Sequence, residues 1–204
     1  GNCVRRKKIV VHVHGGDVKR LNGTSGMFFR VKKAIVSNAL KNAVKIVFPS
    51  KSYLEFTKNE YQLDEVKCAI SPSGGVDTQL FAFKNREFGA PLKLLFAGRL
   101  IKSKRVDLAI QAIENLSDDD KSKIHLTIVG DGPELGSLVK SAAHLPNIEF
   151  SPAVGHVRLA EIFQEHDVLI YPSESESLGL VPLEAMATGM IPLQSNIPSF
   201  NEFI

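Results

Sequence analysis

The segment that decides the fold is Val168-Leu-Ile-Tyr-Pro-Ser-Glu-Ser-Glu-Ser-Leu-Gly-Leu-Val-Pro-Leu-Glu-Ala-Met-Ala-Thr-Gly189. Residues 168–171 form a short apolar run that reads as a buried parallel strand. Pro172 and Ser173 stop it, and a polar, acidic turn follows. A helix then runs to about Thr188, with Gly189 just past its end. A strand, a turn and a helix in that order place side chains and backbone N–H groups at the carboxyl edge of an open α/β sheet. Two glutamates, Glu176 and Glu184, flank the helix start. If the segment were helical throughout, their Cα atoms would be about 12 Å apart. That exceeds the ~5–9.5 Å that separates the paired carboxyl groups of glycoside hydrolases. The pair is better suited to hold two parts of one long ligand.

The same alternation extends in both directions. Towards the C-terminus, 190–193 reads as a strand and 198–204 as the start of a helix. Towards the N-terminus, strands are expected at 92–97, 123–129 and 147–150. Helices are expected at 106–116, at 133–145 with Pro133 in its first position, and at 157–166. Further upstream, 8–14 reads as a buried strand, 18–26 as a loop, and 27–43 as a helix from its apolar spacing. A strand at 45–49, a helix at 51–61 capped by Ser50 and a strand at 67–70 follow. The stretch 78–91 has no periodicity and reads as a linker. The expected fold is α/β, with two Rossmann-like, doubly wound parallel-sheet units. The first covers 1–77 and the second 92–204, and both are incomplete.

Composition narrows the class. The 204 residues are 44% hydrophobic and 23% charged, as in an ordinary globular protein. The net charge of +3 is too small to argue for nucleic acid. Cys3 and Cys68 make neither a disulfide framework nor a metal cluster, which points to a reducing cytoplasm. No apolar run approaches the ~18 residues of a membrane span. Arg5-Arg6-Lys7-Lys8 reads as the flank of the first strand.

Several constellations sit at expected strand ends. Gly98-Arg99-Leu-Ile-Lys-Ser-Lys104 follows the first strand of the second unit. There Arg99 offers a planar fork for phosphate oxygens and Lys104 a mobile point charge. Gly130-Asp131-Gly132-Pro133 suggests a dinucleotide fingerprint with Glu149 downstream, or a tight turn needing glycine. The start of the helix at Leu178-Gly179-Leu180 supplies unpaired N–H groups for an anion. His14 ends the first strand before Gly-Gly-Asp17, while His12 reads as core. Asp118-Asp119-Asp120 lies on the edge opposite the ligand crevice and reads as a solvated loop. No metal site is expected.

Glu176-x7-Glu184, within Ser-Glu-Ser-Leu-Gly-Leu-Val-Pro-Leu-Glu-Ala-Met-Ala-Thr-Gly, resembles the signature of the retaining glycosyltransferases of family GT4 (glycosyltransferase group 1). The resemblance covers nearly the whole chain and implies the GT-B fold. Against the family's pattern, the first strands of the N-terminal domain and the closing helices of the C-terminal domain are expected to be missing. The resemblance implies a nucleotide diphosphate sugar as donor and no separate cofactor. It assigns the donor diphosphate to Arg99, Lys104 and the backbone of Leu178, Gly179 and Leu180. Glu184 would accept from the ribose hydroxyls, with Gly130 and Gly132 near the nucleotide. Glu176 and His14 would hold the transferred sugar as the catalytic pair. Gly74-Gly75-Val76-Asp77 is similar to the family's turn before the hinge. Arg105 stands where the family commonly has glycine.

The implied partners are the nucleotide sugar and a glycan or lipid-linked glycan acceptor, with peripheral contact at the inner face of the membrane and no nucleic acid. Two other readings stay open: a nucleotide-sugar-binding fragment without turnover, and an NAD-dependent oxidoreductase built on Gly130 and Gly132.

Overall fold

The structure is a computed structural model that describes residues 8–18, 26–72 and 74–203. Cys3, Arg5, Arg6, Lys7, most of the expected 18–26 loop, Ser73 and Ile204 lie outside the described residues. The chain forms two compact units: Gly1–Gly74 with Glu176–Leu178 and Pro198–Ile204, and Gly75–Ser175 with Gly179–Ile197.

In the first unit, β1 (Val10–His12), β2 (Lys45–Phe48) and β3 (Cys68–Ile70) form a parallel sheet in that order. Ile46 pairs with Val11 on one side and Cys68 on the other. Helix α1 (Gly26–Asn42) joins β1 to β2, and α2 (Lys51–Tyr61) follows β2. Val13, Leu40, Ile46, Phe48, Tyr53 and Tyr61 are buried together in the core. Ser50 caps α2 as expected, its Oγ accepting from Tyr53 N at 3.2 Å. The Glu202 carboxylate accepts from the next two free N–H groups, Lys51 at 2.9 Å and Ser52 at 2.6 Å. A negative charge is favoured at that end of a helix.

Two expectations fail here. The strand at 8–14 is only three residues long and half-exposed, with Val10 54% accessible. His12 is exposed, not core, and its ring stacks near His14 with centroids 6.3 Å apart. Residues two apart on a strand share a face, so both histidines face away from the core that takes Val11 and Val13.

The second unit is a five-stranded parallel sheet in the order β6-β5-β4-β7-β8. Its strands are β4 (Leu92–Ala97), β5 (Ile124–Val129), β6 (Ile148–Ser151), β7 (Val168–Tyr171) and β8 (Ile191–Gln194). The helices are α3 (Val106–Glu114), α4 (Asp118–Ser122), α5 (Leu135–Ala142), α6 (His156–Glu165) and α7 (Leu180–Ala187). From β4 the chain builds outward through β5 and β6, then returns to place β7 on the other side of β4. That reversal is the switch point where open α/β sheets bind ligands, at the carboxyl ends of the strands.

Three local differences have simple causes. Pro133 lies in the turn before α5, and Glu134 is the residue at the helix boundary. The three aspartates are the first turn of the short α4, capped by Ser117, not a loop; acidic groups suit a helix start. Residues 198–202 form turns, not the start of a helix.

The aperiodic stretch 78–91 packs on the second unit. Phe81 is 1% accessible, its ring 5.5 Å from that of Phe163. The Arg86 guanidinium donates to the carbonyls of Phe163 at 2.9 Å, Thr188 at 3.0 Å and His166. One cation therefore satisfies the carboxyl ends of both α6 and α7, where helix dipoles favour positive charge. Replacing Arg86 by alanine leaves these carbonyls without their donor and should cost roughly 3 kcal/mol in urea denaturation. Arg86→Lys should recover only part of it, because an ammonium lacks the planar fork.

Candidate functional site

The loops after β4 and β5 are laced together through their backbones. Gly98 N donates to Val129 O at 3.0 Å and Leu100 N to Asp131 O at 2.8 Å, while Glu134 N donates to Leu100 O at 3.0 Å. The approach is too close for side chains. A Cβ on Gly130 would collide with the Gly98 carbonyl oxygen, and one on Gly132 with the Leu100 backbone. Both have φ of +155°, in the region that favours glycine. The tight-turn reading of these glycines therefore holds, and they also line an open site.

That site is a cavity of about 530 Å³ at the carboxyl ends of β4, β5 and β6. Gly98, Arg99, Gly130, Asp131 and Gly132 form one wall, with Val154, Leu159 and Val181 on another. Arg99 is exposed there and forms no ion pair among the described residues. Three predicted residues, Arg99, Gly130 and Gly132, thus share one cavity.

Lys104 does not line this cavity. Its Nζ lies 3.0 Å from Tyr171 Oη and 5.0 Å from the centroid of that ring. Tyr171 is in turn stacked on Phe96 at 5.8 Å, so the lysine head is held at the end of β7 beside the end of β4. Arg105, next along, has φ of +50°, a conformation costly for a residue with a Cβ. Its guanidinium meets Glu174 at 2.9 Å and Asp107 at 3.1 Å, ion pairs that accompany this strained position. Glu174 N also donates to Ser103 O at 2.8 Å, tying the acidic turn to the basic loop.

Helix α7 starts at Gly179, which has φ of +90° and offers no side-chain cap. Leu180 and Val181 therefore lead the helix with first-turn N–H groups that no side chain covers. Glu184 follows one turn after Val181 and is only 4% accessible. Burial pushes its carboxyl up from the usual range, while His156 opposes the shift by charge and hydrogen bonding. His156 Nε2 lies 3.3 Å from Glu184 Oε1. Sequence reasoning missed His156; its only signal was its place at the start of α6, directly after Gly155.

His14, Glu176 and Leu178 belong to the first unit. The His14 N–H donates to Asp17 Oδ2 at 2.8 Å, which folds the turn back on itself. Tyr53 Oη donates to the carbonyls of His14, at 3.3 Å, and Gly15. Burial, and secondarily the Asp17 carboxylate, push the Tyr53 phenol up, so it stays a donor. Glu176 and Leu178 are half-buried, and the carbonyl of the intervening Ser177 accepts from Ser50 Oγ at 2.6 Å. Asp77 accepts from Gln79 N and Leu80 N, a turn-forming role. Among the described residues, no group of three or more His, Cys, Asp or Glu side chains could hold a metal ion, and no helix is long and apolar enough to cross a membrane.

Residues 77–204 match the family described as "Glycosyl transferases group 1". The D-inositol 3-phosphate glycosyltransferase of Streptomyces griseus is 36% identical over 161 residues, covering 72% of this chain and 33% of that protein. The UDP-N-acetylglucosamine–peptide N-acetylglucosaminyltransferase GtfA subunit of Streptococcus pneumoniae is 25% identical over 143 residues, covering 70% of this chain and 28% of its own. The chain thus spans about a third or less of the length of these relatives. Among solved structures, Anabaena Alr3699/HepE in complex with UDP and glucose gives a TM-score of 0.76 at 14% identity, over 97% of this chain and 55% of the other. WaaG, a glycosyltransferase involved in lipopolysaccharide biosynthesis, gives 0.75 at 18% identity, over 98% and 62%. The fold is that of GT-B glycosyltransferases, with Rossmann-like parallel-sheet units.

The glycine packing makes a paired prediction. Gly132→Ala should destabilise the chain by at least ~2 kcal/mol, because strain and overlap with the Leu100 backbone add. Gly136→Ala, inside α5 with open space around it, should stabilise by ~0.5–1 kcal/mol. Thermal melts of the two variants check both signs.

Proposed function

The chain belongs to the group 1 glycosyl transferases, and we propose that its second unit binds the nucleoside diphosphate of a sugar donor for transfer to an acceptor hydroxyl. The observation that carries this reading is Arg99, without an ion pair among the described residues, in a cavity walled by close-packed glycine backbone and by the first turn of α7. A diphosphate needs fixed positive charge and N–H donors, and this wall offers both. Lys104 adds a second cation at the end of β7. Gly179 and Leu180 contribute backbone N–H groups, and Glu184 accepts from the ribose; a role for Leu178, which belongs to the first unit, rests on the motif alone.

The reaction proposed is transfer with retained anomeric configuration. The bond from the anomeric carbon to the diphosphate oxygen breaks, and a bond to the acceptor oxygen forms on the same face. The acceptor's proton passes to the departing diphosphate. Charge on the leaving group is where preorganised donors lower a barrier, and that is the role of Arg99 and Lys104. The roles of Glu176 and His14, towards the transferred sugar, rest on the likeness of their motifs to the family's. A glycan or lipid-linked glycan acceptor, in polysaccharide or glycoconjugate synthesis, with contact at the inner membrane face, completes the proposal. No separate cofactor enters. The family match lends nothing to the oxidoreductase reading, since the glycines it relied on are accounted for by loop packing.

Calorimetric titration with UDP, GDP, ADP and NAD tests the reading. One nucleoside diphosphate should bind, and Arg99→Ala and Glu184→Ala should each weaken it about tenfold, or ~1.4 kcal/mol. Binding of NAD alone, or of a diphosphate indifferent to both substitutions, would overturn it. Nucleotide binding without transfer from any UDP-, GDP- or ADP-sugar would favour the binding fragment without turnover.

A further inference from the structure

Glu184 is a buried carboxylate, and burying such a group is costly unless it is hydrogen-bonded. Among the described residues, the side chain that reaches it is His156, whose Nε2 is 3.3 Å from Oε1. The imidazole makes a second contact as well. Its ring meets Phe81 edge to face, with centroids 5.6 Å apart and planes at 85°, and Phe81 is itself locked against Phe163. The contacts therefore run from the α6 core through Phe81 and His156 to one oxygen of Glu184. His156 lies one turn before Leu159 on α6, and Glu184 one turn after Val181 on α7. Leu159 and Val181 both line the cavity, which puts the pair next to the site. Yet the His156 side chain is 69% accessible, more open than a residue kept only for core packing.

We propose that His156 is a positioning residue for the donor's ribose: by engaging Oε1 it fixes the Glu184 carboxylate so that Oε2 is presented to the ribose hydroxyls. The proposal deepens the donor-site reading above and rests on Glu184 being the ribose acceptor. A carboxylate on a rotatable stem points either oxygen in several directions. With one oxygen engaged by a ring nitrogen, the other keeps one orientation and loses less freedom when a hydroxyl donates to it. His156 is thereby a determinant of sugar discrimination in the nucleotide, separate from the cations that hold the diphosphate.

The test compares UDP, GDP and ADP with their 2′,3′-dideoxy counterparts, which keep the base and diphosphate and lose both hydroxyls. Wild type should prefer the ribonucleotide at least tenfold, and His156→Ala should reduce that preference to threefold or less. His156→Gln, which keeps an N–H donor near the Nε2 position, should restore most of it. A role in packing alone would weaken both nucleotides alike and leave their ratio at the wild-type value. If His156→Ala keeps the ratio while Glu184→Ala abolishes it, the positioning proposal is wrong and the ribose assignment survives. If Glu184→Ala also keeps the ratio, or no nucleotide binds, the donor-site assignment itself falls and takes the proposal with it.

Discussion

The candidate site depends on how closely two backbones approach each other. The loop leaving β4 at Gly98 and the loop leaving β5 at Gly130 lie so close that their peptide groups bond directly and leave no room for a Cβ between them. That approach turns two separate strand ends into one wall. It also keeps the glycine positions of the wall bare, so that Arg99 and Asp131 are the side chains that stand out from its N–H and C=O groups. The topology sets where this happens. Only beside β4 does the strand order reverse, and that opens a crevice beyond the strand ends. The cations at 99 and 104 and the head of α7 all fall at the ends of β4 and β7, the neighbouring strands of that reversal.

Glu184 shows what such a site costs the fold. Its folded carboxyl titrates above the ordinary range, chiefly through burial. A raised folded value means that the native state holds the proton more tightly than the unfolded chain does. Stability is therefore lost as pH rises above the ordinary carboxylate range, where burial penalises the charged form. The contact with His156 offsets part of the penalty, and the Arg86 fork at the far end of α7 holds the helix that carries the carboxylate.

Much of this was legible because the signals were local. The strands at 92–97 and 168–171 lie where their apolar runs, interrupted only by Lys93, place them, since they are central strands paired on both sides. The α2 cap at Ser50 and the glycine after α7 follow from short-range chemistry in the same way. The reading failed where the partner was distant or the geometry subtle. Arg86 and Phe81 sit in a stretch without periodicity, and their partners are about 80 residues downstream. His156 gains meaning only from Glu184, on another helix. His12 reads as core from its sequence, although it shares a strand face with the exposed His14. At Arg105 the sequence showed the missing glycine, and the structure shows the positive φ that glycine would have suited.

Amide shifts of the isotopically labelled chain, recorded as UDP, GDP or ADP is added, test the central claim most directly. The account predicts that the largest shifts fall on Gly98, Arg99, Gly130, Gly132, Leu180 and Val181, the backbone of the cavity wall and the first turn of α7. Shifts centred instead on the apolar groove lined by Leu108, Ala112 and Leu193 would contradict it.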